Sequence, residues 1–300
     1  MSEPKLNYLP IADAGDGHRM AYWEWGPADA GHVVVCVHGL SRQGRDFDVL
    51  AKVLVAKGGG AVRVICPDVV GRGKSDWLAD PMGYQVPAYA VDMRALLTHL
   101  KPAAQVLDWV GTSMGGLIGM ALCGQTQSPL PIQVRRLVLN DVGPVIQWES
   151  IVRIGQYLGR VVQFASLQQA ADAMWAVSTT FGPHTPAQWL ELSRHMVKVV
   201  PGSSDAVMLH YDPAIAVPFG AMTRESAAQG EAVLWQLYDA IQAQTLLLRG
   251  AQSDLLSPQA AQWMTERGPK ARLIEFAGVG HAPTLIADDQ VDAVASFLLA

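Results

Sequence analysis

The chain has 300 residues, and half of them are apolar, which suits a globular protein with a substantial core. Its formal net charge of −5 at pH 7 offers no basic stripe for a phosphate backbone, so we expect no nucleic-acid partner. The N-terminal stretch lacks a basic segment followed by a long apolar run, and runs such as Val33–Val37 are too short to span a bilayer, so we expect a cytoplasmic protein without a membrane partner.

Short apolar runs rich in β-branched residues alternate with helical patterns, which predicts a mostly parallel sheet with crossover helices. Several runs are apolar throughout, as expected for strands that are covered on both faces. Met20–Trp25 alternates instead and suits an antiparallel edge ribbon. The other predicted strands are His32–Val37, Val62–Cys66, Val106–Val110, Val134–Leu139, Thr245–Leu248 and Ala271–Phe276.

Helical spacing between these strands predicts the crossover helices. They are Phe47–Ala56, Val86–Leu100, Met114–Gln125, Pro258–Arg267 and Gln290–Leu299. The three cysteines are an odd number for a disulfide framework, so we expect buried free thiols and no metal site.

One long interval, residues 145–230, shows helical patterns but no convincing strand. We interpret it as a helical cap inserted into a core domain formed by residues 1–144 and 231–300. The alternative is that these helices simply enlarge the core. Trp148 and Trp175 lie in this interval and are candidate substrate contacts. The helices expected there are Ile151–Val162, Leu167–Val177 and Pro186–Val199.

Ser113 is the candidate nucleophile. It lies in a G-x-S-x-G segment, directly after the predicted strand Val106–Val110 and directly before a predicted helix. A sharp strand-to-helix turn lifts the serine hydroxyl above the sheet, and glycines leave room for the backbone. The helix start adds backbone N–H groups and a dipole that favour a developing anion. The alternative is a tight turn with Ser113 as an ordinary helix N-cap.

His281 is the candidate general base, because it follows the last predicted strand in a glycine-rich loop and comes after the serine in chain order. Asp254, on the loop after Thr245–Leu248, is the candidate acid that orients the histidine. Asp141 also ends a strand and competes for this role. We favour Asp254, because its D-x-L-x-S-P segment leads straight into the next helix.

An oxyanion hole needs two N–H groups, and we expect them to be the backbone amides of Met114 and Leu40. Gly39 would let the backbone before Leu40 approach closely, and His38 is interpreted as a brace for this loop. Arg42 follows the loop and is a candidate contact for an acidic group of a substrate, although exposed arginines are common.

Taken in order, these motifs resemble the α/β-hydrolase family. The resemblance rests on His38-Gly39, the D-x-x-G-x-G-x-S run from Asp68 to Ser75, the turn around Ser113, Asp254 and His281. It extends from about Arg19 to Leu299 and implies an α/β-hydrolase fold with an eight-stranded, mostly parallel sheet and a helical lid inserted after the sixth strand. Related dehalogenases and epoxide hydrolases carry aspartate where this chain has serine, which argues against both chemistries.

Within that family the chain is most similar to carboxylesterases, enol-lactonases and carbon–carbon bond hydrolases. The expected activity is hydrolysis of a small-molecule, mostly apolar carboxylic ester through an acyl-serine, without a metal or organic cofactor. A lactonase or carbon–carbon hydrolase is the first alternative, and a ligand receptor built on the same fold is the second. The expected assembly is a monomer or a homodimer.

Overall fold

The computed structural model describes residues 3–12 and 17–300. The expectation about the N-terminal stretch therefore falls partly on residues 1–2 and 13–16, which lie outside the described residues. The described strands, in chain order, are β1 (Lys5–Ile11), β2 (His18–Trp25), β3 (His32–Val37), β4 (Val62–Pro67), β5 (Val106–Thr112), β6 (Val134–Asn140), β7 (Gln163–Phe164), β8 (Val197–Val199), β9 (Val207–Leu209), β10 (Gln244–Gly250) and β11 (Arg272–Phe276).

The described α-helices are α1 (Asp48–Lys57), α2 (Val86–Leu100), α3 (Met114–Gly124), α4 (Trp148–Gly155), α5 (Leu167–Ser178), α6 (Pro186–Arg194), α7 (Ala216–Gly220), α8 (Arg224–Ala240), α9 (Pro258–Glu266) and α10 (Asp288–Leu299). The five predicted crossover helices correspond to α1, α2, α3, α9 and α10, whereas α8, which extends ten residues beyond the interval 145–230, was not predicted. Within the described chain, no helix is both long enough and apolar enough to cross a membrane.

Eight strands of the described chain form one sheet in the order β1-β2-β4-β3-β5-β6-β10-β11. β2 pairs antiparallel with both β1 and β4, and the remaining neighbours are parallel. The predicted mostly parallel sheet is confirmed. The strand expected at the sheet edge is β2. The edge itself is β1, which pairs with β2 and which the sequence pattern did not indicate. Because the parallel strands end at one edge, the loops after β3, β5, β6, β10 and β11 meet there.

The sheet separates two apolar cores, and β3 shows how the sequence builds both. Val33, Val35 and Val37 point to one face, whereas Val34 and Cys36 point to the other, because side chains alternate along a strand. Helices α2, α3, α8 and α9 cover the first face, and α1 and α10 cover the second. Burial on both faces explains why the central strands read as continuous apolar runs. Cys36 and Cys66 are buried free thiols, and Cys123 is a half-buried one.

The expectation that residues 145–230 contain no strand was wrong. β7, β8 and β9 form a small antiparallel sheet there. The predicted helix Pro186–Val199 ends at Arg194. The segment Val197–Val199, which has a β-branched valine at each end, pairs with β9 across the turn at residues 201–202. Strands of two or three residues are too short to show a pattern in the sequence.

The division of the chain into a core domain and a cap remains a prediction. The first helix of the interval, α4, was predicted over Ile151–Val162. In the structure it begins three residues earlier, at Trp148, and already ends at Gly155. Helix α8 runs without interruption through residue 230, the second predicted boundary, and packs with α3 on the main sheet.

The turn from β5 into α3 depends on glycines that no side chain could replace in the same backbone. A Cβ atom at Gly111 would overlap the carbonyl of Gly115, and one at Gly115 would overlap the carbonyl of Val37 in the neighbouring strand. Both obstacles are backbone atoms, so a change of rotamer cannot relieve them. The α3 N-terminus therefore lies against the end of β3 only while position 115 has no side chain.

Gly115→Ala is expected to lower the free energy of unfolding by about 1–3 kcal/mol, because the added methyl group overpacks a rigid contact. Gly230→Ala is the matched control: it lies in α8 with nothing within 4 Å of an added Cβ, so it should gain about 0.5–1 kcal/mol. Urea unfolding measures both values. A Gly115→Ala protein as stable as the wild type would contradict the close packing described above.

Candidate active site

Ser113 occupies the turn between β5 and α3 with φ 50° and ψ −116°. A residue other than glycine at positive φ costs on the order of 1–3 kcal/mol and persists only where its surroundings enforce it. Here the amide of Ser113 donates to the carbonyl of Asn140 at 3.0 Å, and its carbonyl accepts from the amide of Gly116 at 2.8 Å. The strained turn directs the hydroxyl into a cavity at the carboxyl edge of the sheet.

His281 lies on the loop between β11 and α10, as predicted, and its ring meets the serine. Its Nε2 atom is 3.0 Å from Ser113 Oγ. The loop is tied to the sheet by Asn140 Nδ2, which donates to the carbonyl of Pro283 at 2.8 Å, and to the cap interval by Thr180 Oγ1, which donates to the carbonyl of His281. The imidazole is therefore held at hydrogen-bond distance from the hydroxyl by contacts on both sides.

Asp141 is the carboxylate that the structure places against the histidine. Its Oδ2 atom is 2.7 Å from His281 Nδ1 and accepts from Ser253 Oγ at 2.6 Å. Its Oδ1 atom accepts from the amide of Gly250 at 2.9 Å. The side chain is fully buried, so these three donors replace the water that an ionised carboxylate would otherwise need.

The structure contradicts the expectation that Asp254 faces His281. The Asp254 side chain is 46% exposed and pairs with Arg153 at 2.8 Å, away from the imidazole. Both Asp141 and Asp254 follow a strand, so their order in the chain could not separate them. The difference is distance from the strand end: Asp141 comes directly after β6, whereas the loop after β10 has already turned outward at Asp254. Asp141 also has φ 57°, a conformation that aspartate tolerates better than most residues.

The loop after β3 lies beside the serine, as the predicted oxyanion hole requires. A Cβ atom built on Gly39 would be 3.6 Å from Ser113 Cβ, in ordinary contact. The amides of Leu40 and Met114 donate to no acceptor among the described residues. Both are therefore free to donate to an atom placed beside Ser113.

His38 braces this loop, as interpreted from the sequence. Its Nε2 atom accepts from the amide of Val69 at 2.9 Å, and its Nδ1 atom donates to the carbonyl of Gly39 at 2.7 Å. Complete burial lowers the pKa of His38 to about 3, so the ring is neutral at physiological pH and can hold both bonds.

The glycine-rich run that begins at Asp68 is a structural turn. The buried Asp68 carboxylate accepts from the amides of Gly44 and Lys74 at 2.7 and 2.8 Å, and burial raises its pKa to about 6. Ser75 Oγ donates to the Asp68 carbonyl at 2.5 Å. This turn therefore anchors the segment that follows Leu40.

The cavity above Ser113 has a volume of about 390 Å³. Arg42 lines it, but the guanidinium is held by Asp46 through two hydrogen bonds of 2.6 and 2.8 Å. The two tryptophans predicted as substrate contacts do not line it within the described residues. Trp148 lines a separate cavity, under the guanidinium of Arg224, and Trp175 packs edge-on against Trp189 with ring centroids 4.9 Å apart.

Known proteins with similar sequences and folds agree with this architecture. A model described as the alpha/beta hydrolase family matches residues 34–297. The chain belongs to the α/β-hydrolase family. It is 46% identical over 291 residues to a 3-hydroxybutyrate-oligomer hydrolase from Cupriavidus necator, with 97% of this chain and 96% of that protein covered. This α/β hydrolase is accordingly a hydrolytic enzyme.

Two solved structures cover nearly all of the hydrolase. A putative hydrolase from Rickettsia typhi is 26% identical with a TM-score of 0.84, over 98% of this chain and 99% of that one. An alpha/beta hydrolase from Novosphingobium aromaticivorans is 34% identical with a TM-score of 0.83, over 100% and 99%. The overall fold of this enzyme is thus that of known hydrolases along its whole length.

Asp141→Asn is expected to lower kcat by about 10³-fold or more, because an amide cannot hold His281 in the tautomer whose Nε2 atom is an acceptor facing Ser113 Oγ. Asp254→Asn is the matched control, since it makes the same substitution at an exposed carboxylate on the loop after the neighbouring strand β10. It should leave kcat on a neutral ester close to the wild-type value. Steady-state kinetics on p-nitrophenyl butyrate distinguish the two. A larger loss in Asp254→Asn would reverse the assignment.

Proposed function

We propose that this hydrolase is a serine esterase that cleaves carboxylic esters through an acyl-serine intermediate. The observation that carries the proposal is the continuous path from Ser113 Oγ to His281 Nε2, 3.0 Å, and from His281 Nδ1 to Asp141 Oδ2, 2.7 Å. This path lies beside two unpaired backbone amides, so a nucleophile, a base, an orienting acid and an oxyanion hole occupy one site.

In the acylation half, His281 Nε2 removes the proton from Ser113 Oγ as the oxygen attacks the ester carbon. The carbonyl oxygen becomes an oxyanion and accepts hydrogen bonds from the amides of Leu40 and Met114. The ester C–O bond then breaks, and the proton on His281 passes to the departing alcohol oxygen. The acyl group is left on Ser113.

In the deacylation half, water takes the place of the alcohol. His281 removes a proton from this water as its oxygen bonds to the acyl carbon, and the same two amides hold the second oxyanion. The bond between the acyl carbon and Ser113 Oγ breaks, and the proton returns to the serine. Asp141 stabilises the imidazolium in both halves. Side chains and water supply every atom that is transferred, so the reaction needs no metal or organic cofactor.

The cavity supports a substrate with short apolar segments. Its wall is mostly aliphatic and aromatic, which favours alkyl groups on either side of the ester bond. The relative from Cupriavidus necator is named for 3-hydroxybutyrate oligomers, which are linear esters with one methyl branch per unit, and we propose the same substrate class here. Apolar wall residues include Leu40, Ile154, Leu158, Phe164, Met174 and Leu209.

Ser113→Ala is expected to lower turnover of p-nitrophenyl esters by about 10³-fold or more, since no acyl intermediate can form. The assay uses acetyl, butyryl, hexanoyl and octanoyl esters, so the chain-length preference of the wild type also sizes the cavity. Ser204→Ala, at an exposed serine bonded to Asp205, is the control and should match the wild type. Substantial turnover in a folded Ser113→Ala protein would rule out the serine mechanism.

A further inference from the structure

The charges that line the catalytic cavity are all of one sign. Within the described residues, its charged side chains are Arg42, Arg153 and Arg160, and no carboxylate lines it. The rest of the wall is mostly apolar, with Ser41, Thr112 and Tyr157 among the uncharged polar groups. A wall with guanidinium groups and no carboxylate favours an anionic ligand.

Two of the three arginines already have a carboxylate partner. Arg42 forms two hydrogen bonds with Asp46, as described above. Arg153 contacts one oxygen of Asp254 through Nε at 2.9 Å and through Nη2 at 2.8 Å. In each pair the carboxylate neutralises the charge of the guanidinium, so neither arginine brings a free positive charge to the cavity.

Arg160 has no such partner. It lies between α4 and β7 with an exposed side chain, and no carboxylate of the described chain is within 4 Å of its guanidinium. Tyr157, one turn earlier, also lines the cavity, and burial raises the pKa of its hydroxyl, so the group remains a hydrogen-bond donor at neutral pH. Arg153, Tyr157 and Arg160 thus place hydrogen-bond donors on the part of the cavity wall that residues 145–230 form.

The chemistry of the proposed substrate supplies a matching group. A linear hydroxyacid oligomer has a free hydroxyl at one end and a free carboxylate at the other. When any internal ester bond is cleaved, the carboxylate end always belongs to the alcohol that leaves, and the hydroxyl end belongs to the acyl group that is bound to the serine.

We propose that Arg160 binds the free carboxylate of a hydroxyacid oligomer and thereby directs cleavage to the ester bonds near its carboxyl end. The inference rests on the proposed serine esterase function and specifies which side of the cavity takes the leaving group. It replaces Arg42, the arginine that the sequence offered as a candidate for this contact, with the arginine that has no carboxylate partner.

The test compares a 3-hydroxybutyrate trimer as the free acid with its methyl ester, and adds neutral p-nitrophenyl butyrate. Arg160→Gln should raise KM for the free acid about tenfold or more, the usual effect of losing a charged hydrogen bond. It should leave KM for the methyl ester and for p-nitrophenyl butyrate nearly unchanged. Arg160→Glu should raise KM for the acid further. Arg194→Gln, an exposed arginine paired with Glu191 outside the cavity, is the control and should change none of the three.

An unchanged KM for the free acid in Arg160→Gln, or an equal rise for the acid and its methyl ester, would overturn the carboxylate site. Turnover of p-nitrophenyl butyrate without turnover of either trimer would also overturn it while leaving the serine esterase intact. Absence of turnover on every ester would instead refute the proposed function, and the carboxylate site with it.

Arg72 provides a second, independent observation. Its guanidinium is completely buried behind the oxyanion loop, and no carboxylate of the described residues is within 4 Å of it. Nε donates to the carbonyl of Leu40 at 2.8 Å, and Nη2 lies 3.7 Å from the sulfur of Met114. Nη1 donates to the carbonyl of Val70 and to the hydroxyl of Tyr89.

These contacts connect one buried cation to both residues whose amides are free beside Ser113. We infer that Arg72 is a positioning residue for the oxyanion hole. Its bond to the Leu40 carbonyl fixes the loop that presents the Leu40 amide, and its contact with the Met114 side chain supports the start of α3. Its unneutralised charge also favours an anion at this site, since buried charges are weakly screened.

The test uses Arg72→Met and Arg72→Lys with an alkyl boronic acid, which forms a tetrahedral anion on the serine. Arg72→Met should lower kcat on p-nitrophenyl butyrate about 10²-fold and weaken boronate binding in parallel, while KM changes little. Arg72→Lys should recover part of both losses. Arg63→Met is the control for burial alone: Arg63, on β4, is a buried arginine that is paired with Glu24 on the neighbouring strand β2.

Arg63→Met should lower the melting temperature without changing the ratio of the boronate dissociation constant to KM. If Arg72→Met behaves in the same way, losing stability but keeping kcat and boronate affinity, the positioning role is overturned. If Arg72→Met fails to fold, Arg72→Lys is measured instead. A ratio of the boronate dissociation constant to KM that equals the wild-type ratio in Arg72→Lys, with an unchanged kcat, would overturn the positioning role.

Discussion

The backbone at Ser113 is the constraint on which the site depends. With φ 50° and ψ −116°, it occupies a region that L-residues avoid, and it is held there by close packing of the turn against the neighbouring strands. Gly111 and Gly115 allow that packing because the space next to each is filled by backbone. The same geometry that strains the serine exposes its hydroxyl and leaves the Met114 amide at the open start of a helix.

The site is assembled from strand ends that are far apart in sequence, and Asn140 connects three of the segments. Its carbonyl accepts from the amide of Ser113, and its side chain donates to Thr112 Oγ1 and to the carbonyl of Pro283. The serine turn and the histidine loop are thus both fastened to the last residue of β6, and Asp141 follows directly. The 3.0 Å distance between His281 Nε2 and Ser113 Oγ therefore depends on the position of both loops against β6.

The elements that the sequence predicted are those with long, regular patterns. The central strands and α2, with bounds Val86–Leu100, follow from continuous apolar runs and from helical spacing. Ser113 and His281, which the structure brings to hydrogen-bond distance, could be proposed from the sequence because glycines flank both of them in short loops that follow predicted strands. The strands of residues 145–230 were missed because they are only two or three residues long, and β1 because its pattern is mixed.

The remaining errors concern side-chain direction, which a single sequence does not encode. Asp141 and Asp254 both follow strands, and only the path of the loop after β10 shows that Asp254 turns outward to Arg153. Trp148 and Trp175 were expected at the substrate because they are large and apolar, but each packs against other side chains. Arg42 lines the cavity, but its guanidinium donates both of its hydrogen bonds to Asp46, four residues later.

The proposed mechanism requires that His281 makes the hydroxyl of Ser113 nucleophilic. The most direct measurement is covalent labelling with an alkyl fluorophosphonate, which reacts with activated serines, followed by peptide mass spectrometry. We expect one phosphonyl group per chain, located on Ser113, and no labelling in His281→Ala. Labelling at another residue, or labelling of Ser113 that persists at the same rate without His281, would contradict it.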